Sequence, residues 1–149
     1  MRWREFKETA PEFAAAGERL MQQPDGVWIA MLASVSATGI ARMAPICPIP
    51  CAEALYLSAG AVTPKVRDLE RSGRYTLHAF LGPSDEEWQI WGPALRVDDS
   101  AERARVHDAI TFQFGAGDPI FRLDVERCLW GYWVDPGQPG THPVKRRWP

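Results

Sequence analysis

The chain has 149 residues, 46% hydrophobic and 24% charged, a balance expected of one globular domain and not of a disordered or fibrous chain. With 17 Lys and Arg against 19 Asp and Glu, the formal net charge of -2 gives no general electrostatic drive toward nucleic acid. The longest apolar run, residues 27–35, is about half of what a membrane helix needs, and the charged amino terminus lacks the apolar core of a secretory leader, so a cytoplasmic protein with no membrane partner is expected.

Thr9-Ala10-Pro11-Glu12 matches a capping box with proline in the first turn, which predicts a helix over residues 10–21 that Pro24 and Gly26 terminate. Residues 27–35 are apolar and partly β-branched and predict a strand. The turn at residues 36–39 ends in Gly39, and residues 40–49 predict the return strand of a hairpin. Pro45 and Pro48 each remove a ladder donor, so the later part of that strand belongs at an edge or a bulge, with main-chain groups left for a ligand. Residues 55–58 predict a third strand. Thr63 as N-cap with Pro64 at the first helical position then starts a helix over residues 64–70.

Residues 74–81 and 87–97 predict a second hairpin. Asp98, Asp99 and Ser100 offer caps for a helix over residues 101–114, which Gly115 and Gly117 end. Residues 121–134 predict a last strand bent near Glu126. A Pro- and Gly-rich loop, residues 135–143, leads to a basic-aromatic tail over residues 144–148. The order lacks regular βαβ alternation. The expected class is mainly β with flanking helices, a single domain over residues 1–149 whose antiparallel strands close into a full or split β-barrel.

The sharpest local signal for chemistry is Thr63-Pro64-Lys65, because a helix amino terminus presents unpaired amides and a positive dipole end, and a lysine in its first turn adds a full charge. The competing reading makes Arg67 and Arg71 a solvated helix face with Asp68 and Glu70. Arg42 stands in an otherwise apolar strand, where it either points outward to water or points inward and needs an anion. If the second and third strands are neighbours, Arg42 and Lys65 can share one phosphate. His78 and His107 read as structural and surface histidines without a nucleophile or carboxylate at motif spacing. Cys47, Cys51 and Cys128 read as reduced, buried thiols with no second ligand pair for a metal. Seven tryptophans suit a dimer interface or a ring-shaped ligand as well as a plain core.

Four stretches together resemble the pyridoxamine-5′-phosphate-oxidase-like family of FMN-binding split barrels. They are residues 3–6 with 10–12, residues 32–45, residues 55–57 with 64–69, and Trp91-Gly92-Pro93-Ala94 leading to Asp98. The resemblance implies a homodimer with FMN between subunits and its phosphate held by Arg42, Thr63, Pro64 and Lys65. It implies main-chain contacts to the flavin ring from Met43, Ala44, Pro45, Leu57 and Ser58, and contributions from the partner subunit at Gln89, Trp91, Arg146 and Trp148. The implied activity is that of a flavin-dependent oxidoreductase passing hydride through the flavin N5 to or from a small-molecule substrate. Oxidation of pyridoxamine phosphate is not implied, since the tail lacks the Arg-X-His segment of the vitamin-B6 oxidases. A deazaflavin-dependent reductase and a non-catalytic flavin-, haem- or tetrapyrrole-binding module remain as alternatives on the same scaffold.

Overall fold

Burial alternates residue by residue along the first strand, as a period of two requires. In the computed structural model, which describes residues 1–112 and 115–149, β1 (Ala30–Val35) turns Ala30, Leu32 and Ser34 into the interior and Met31, Ala33 and Val35 outward. It pairs antiparallel with β2 (Ala41–Ile46) on one side and β5 (Arg74–His78) on the other. The sheet continues through β6 (Glu87–Arg96), β7 (Ile120–Leu123), β4 (Ala54–Ser58) and β3 (Ile49–Cys51), in the order β2-β1-β5-β6-β7-β4-β3. β8 (Arg127–Val134) pairs with β6, and β9 (His142–Trp148) pairs with β8. Every pairing is antiparallel, and the sheet curls into a half-barrel flanked by α1 (Trp3–Thr9), α2 (Pro11–Met21), α3 (Pro64–Ser72) and α4 (Ser100–Ala109).

The strand expected over residues 40–49 is two strands, β2 and β3, joined by Cys47 and Pro48. The missing donors at Pro45 and Pro48 explain the break. β2 therefore runs into β3 at the far end of the sheet, so the two ends of the strand order meet at this link. The bend foreseen near Glu126 likewise separates β7 from β8. There Gly92 lets the chain cross: a Cβ on it would lie 2.1 Å from the Asp124 carbonyl oxygen, so no larger residue fits unless the backbone moves.

The capping box does not form. Residues 3–9 are already helical, Thr9 turns its hydroxyl back to the Glu5 carbonyl, and Ala10 takes the N-cap position of α2. The missed helix α1 rests on Trp3 and Phe6, an i, i+3 pair that is buried. The tail joins β8 as a strand instead of trailing after the loop. α4 is capped as expected, Asp99 accepting from the Glu102 amide at 2.7 Å, but ends at Ala109. The remainder of the expected helix at Gln113 and Phe114 lies outside the described residues.

The main core is built on Trp88, which is 0% exposed, packs edge-on to Trp3 and donates its indole N–H to the Phe13 carbonyl at 2.8 Å. α2 is anchored beside it. Arg19 hydrogen-bonds both oxygens of Glu86, and the Trp130 indole donates to the same carboxylate at 2.8 Å. The Arg19 hydrogen bonds hold the Glu86 carboxyl below its ordinary range, outweighing the burial that opposes them, and Trp130 adds to the lowering. A carboxyl whose pKa is lower folded than unfolded stabilises the fold above the unfolded value, and that stabilisation is lost as pH falls through the folded one. Between about pH 5 and pH 3, Glu86→Gln should show a shallower loss of urea midpoint than wild type. Equal slopes would show that Glu86 does not couple folding to pH.

A smaller apolar cluster of Ile49, Ala54, Tyr56, Val97, Val106 and Ile120 lies under α4. Tyr56 donates its hydroxyl to Glu102 at 2.9 Å, and burial with this carboxylate pushes its pKa to about 12. No helix among the described residues is long and apolar enough to cross a membrane.

Candidate functional site

Two strand edges are left open where β2 bends away. β3 pairs with β4 only as far as Tyr56, so beyond it Leu57 and Ser58 have a strand neighbour, β7, on one side alone. β2 is a terminal strand paired only with β1, so along Met43, Ala44 and Pro45 half of the main-chain groups point away from the sheet. The Leu57 side chain is buried in the core, so what it offers a ligand is its backbone. Ser58 ends β4 with its Oγ buried and without a hydrogen-bond partner, the one such side-chain atom found among the described residues. A buried hydroxyl left unpaired is costly, and a ligand group at this position would satisfy it.

The loop after Ser58 leads into α3. Thr63 and Pro64 occupy the N-cap and first-turn positions that the sequence predicts, but the Thr63 hydroxyl donates to the Gly60 carbonyl at 2.8 Å instead of capping the helix. The amides of the first turn are thus not capped by Thr63, and Lys65 lies half-buried beside them. Asp68, one turn further and on the same side of the helix, is buried. This corrects the reading of Asp68 as part of a solvated face with Arg67, Glu70 and Arg71. Asp68 accepts a hydrogen bond from buried Ser34 of β1 at 3.0 Å, and its carboxylate lies 3.6 Å from the Arg42 guanidinium of β2.

β2 and β4 are not neighbours in the sheet, so the route by which Arg42 and Lys65 were expected to meet is replaced by another. α3 packs across β1 and brings Asp68, one helical turn after Lys65, to the strand that carries Arg42. The structure thus ties Arg42 to α3 through Asp68, while Lys65 lies in the uncapped first turn of that helix and the orphaned Ser58 hydroxyl ends the strand just before it in the chain. Their chemistry fits a phosphate, and the open edges of β2 and β4 fit a planar ring with hydrogen-bonding groups along its rim, so the residues present are compatible with a flavin nucleotide.

The other candidate residues fall elsewhere. Cross-strand register puts Gln89 and Trp91 of β6 on the outward face with Thr76, His78, Ala33 and Met43, half-buried to exposed. A depression of about 250 Å³ lies there, lined by Ala33, Val35, Ala41, Thr76 and Trp91. Arg146 and Trp148 lie on the opposite face of the β8–β9 ribbon. Arg146 pairs with Glu12 and stacks over the Phe13 and Trp130 rings, while Trp148 packs on Phe6. The tail residues that share the outward face with Gln89 and Trp91 are instead Lys145 and Arg147, one strand position either side of Arg146. The period of two in residues 142–148 carried that signal, hidden because the tail was not read as a strand.

A larger cavity of about 380 Å³ lies between α1, α2 and the β3–β4 turn, but its charges are paired among themselves, Lys7 with Glu18 and Arg4 with Glu8. Its Cys51 is half-buried, as is Cys47, and burial raises both thiols; only Cys128 is fully buried, where its pKa is pushed to about 12. None of the three is a poised nucleophile.

No protein-family model matches the chain, and no curated protein matches it in sequence. Solved structures do match in shape. A candidate pyridoxamine 5′-phosphate oxidase from Listeria innocua superposes with a TM-score of 0.60 at 15% identity, over 79% of this chain and 94% of that one. A Clostridium acetobutylicum protein related to general stress protein 26, of the pyridoxinephosphate oxidase family, gives 0.60 at 12% identity over 96% and 94%. The chain has the split-barrel fold of the pyridoxamine-5′-phosphate-oxidase-like proteins. A haem-binding protein from Mycobacterium smegmatis shares this fold with a TM-score of 0.58 at 17% identity over 87% of this chain, which spans only 57% of that protein's length.

Proposed function

We propose that this split barrel binds FMN at the mouth formed by β2, the end of β4 and the start of α3, and that it works as a flavin-dependent oxidoreductase in a homodimer. The observation that carries the reading is the ion pair joining Arg42 of β2 to Asp68 of α3, the helix whose uncapped first turn holds Lys65, together with the unpaired Ser58 hydroxyl just upstream of that helix. Arg42 and Lys65 would take the phosphate, with the first-turn amides of α3 completing its shell. The backbone of Met43, Ala44 and Pro45 and of Leu57 and Ser58 would meet the ring edge. When bound, the flavin supplies hydride transfer at N5, and the chain supplies placement and a dry environment.

The homodimer is supported by the outward sheet face, where Val35, Ala41, Met43 and Pro45 stand exposed next to half-buried Met31 and Ala33, with Met43 65% exposed. An apolar sheet face of this kind is expected to be covered. A second copy would bring its own Gln89 and Trp91 to the same interface.

The test is an absorption spectrum of the purified protein followed by titration with FMN, riboflavin, a deazaflavin and haemin, with the oligomeric state measured by light scattering. A flavin spectrum, a dimer, and FMN bound more tightly than riboflavin are expected, along with reduction of the bound flavin by a nicotinamide donor. A Soret band would replace the reading with a haem-binding module. Deazaflavin preferred over FMN would make the protein a reductase of that cofactor, and flavin binding without turnover would leave a carrier or sensor.

A further inference from the structure

Asp68 is the buried carboxylate that the competing sequence reading placed on a solvated face, and nothing in the proposed flavin chemistry uses it. It lies in the middle of α3 with its side chain 6% exposed, while the Arg42 side chain 3.6 Å away is 41% exposed. Arg42 therefore reaches solvent while the carboxylate it pairs with does not. From below, buried Ser34 donates to the same Oδ2 atom at 3.0 Å. The three residues come from three elements, β1, β2 and α3, and one carboxylate oxygen ties them together.

We infer that Asp68 is a positioning residue for Arg42: seated on Ser34, it sets the guanidinium in the orientation that receives the phosphate and so makes the site selective for the phosphorylated flavin over the unphosphorylated one. The inference rests on the phosphate-binding reading above. The physical case has two parts. A free arginine samples many rotamers, and a guanidinium already held on one side loses less conformational freedom when an anion arrives on the other. A buried carboxylate also needs a cation, so Arg42 cannot leave Asp68 without a cost, and an arginine paired on one side keeps further donors for an anion. Were Asp68 itself exposed to the ligand, its charge would repel phosphate. Its burial beside Arg42 argues that it acts through the guanidinium.

The test is a double-mutant cycle on the full-length protein with Asp68→Asn, Arg42→Lys and the two combined. It is read by the ratio of riboflavin to FMN dissociation constants and by the Nε–Hε NMR resonance of Arg42 without ligand. Asparagine keeps the shape and can still accept from Ser34, so the fold is retained. Asp68→Asn is expected to lower the selectivity ratio about tenfold, to leave riboflavin binding unchanged, and to have no further effect when Arg42 is already lysine. The ligand-free Arg42 resonance, dispersed in wild type, should collapse toward the position of a free arginine. Tighter FMN binding in Asp68→Asn, an equal effect in the Arg42→Lys background, or an unmoved Arg42 resonance would each overturn the inference. If wild type itself does not prefer FMN over riboflavin, the phosphate reading fails, and the resonance still decides whether Asp68 orders Arg42.

Discussion

Removing both positive charges from the proposed phosphate site, Lys65→Met with Arg42→Met, should weaken FMN binding by roughly 10²–10⁴-fold, since each hydrogen bond to a charged group contributes about 1.5–3 kcal/mol. Asp68→Asn has to accompany Arg42→Met, because the buried carboxylate would otherwise lose its counter-cation and the fold would suffer for a reason unrelated to ligand. Riboflavin, which has the ring without the phosphate, should bind the triple variant nearly as it binds wild type. Fluorescence quenching of each flavin measures both constants in one experiment. Equal losses for FMN and riboflavin would place the phosphate elsewhere and detach Arg42 and Lys65 from the site.

Trp88→Ala should cost about 4 kcal/mol of folding stability, within the range for a large aromatic removed from a core. A domain of this size is stable by roughly 5–15 kcal/mol, so the variant stands near the edge of folding. The reason lies in how completely the ring is enclosed. Gly17 of α2 lies so close to it that a Cβ there would fall 2.3 Å from the indole, Trp3 packs at 6.2 Å, and the indole N–H is committed to the Phe13 carbonyl. Truncation removes that hydrogen bond together with the ring, and α2, held also by Arg19 on Glu86, closes the space only in part, so a cavity remains. Trp91→Ala, three residues along the same strand but on the outward face, serves as the comparison and should cost far less in a urea titration of the monomeric unit. A similar loss for both would mean that burial in the core does not set the energy.

The two substitutions differ because β6 alternates its faces; that residues 87–97 form a strand was legible from the sequence. Apolar, β-branched runs and the turn residues between them gave β1, β5 and β6, and cap and proline signals gave the helices α2 and α3, since these depend on neighbours within a few positions. The antiparallel half-barrel followed from the absence of βαβ order. Local patterning was misleading where two local signals compete. Thr9-Ala10-Pro11-Glu12 matches a capping box, yet Thr9 belongs to the helix before it, and the tail's alternation was masked by the Pro- and Gly-rich loop that precedes it.

The candidate site divides in the same way. Thr63, Pro64 and Lys65 could be picked out from the sequence because a helix start is a local feature, and Pro45 and Pro48 announced an open edge for the same reason. Where the Thr63 hydroxyl turns, that Asp68 is buried, and that it is the link between Arg42 and α3 were fixed only when α3 docked across β1. A helix of nine residues has no means of specifying from its own sequence which of its charged positions will face a strand. The side of the tail that faces Gln89 was likewise decided by the pairing of β9 with β8, because shifting register by a single residue exchanges Arg146 for Arg147. Periodicity and end signals are properties of a segment, so the sequence determined the elements. Burial of a charge and the partner it finds are properties of how segments pack, so only the tertiary structure decided which residues meet.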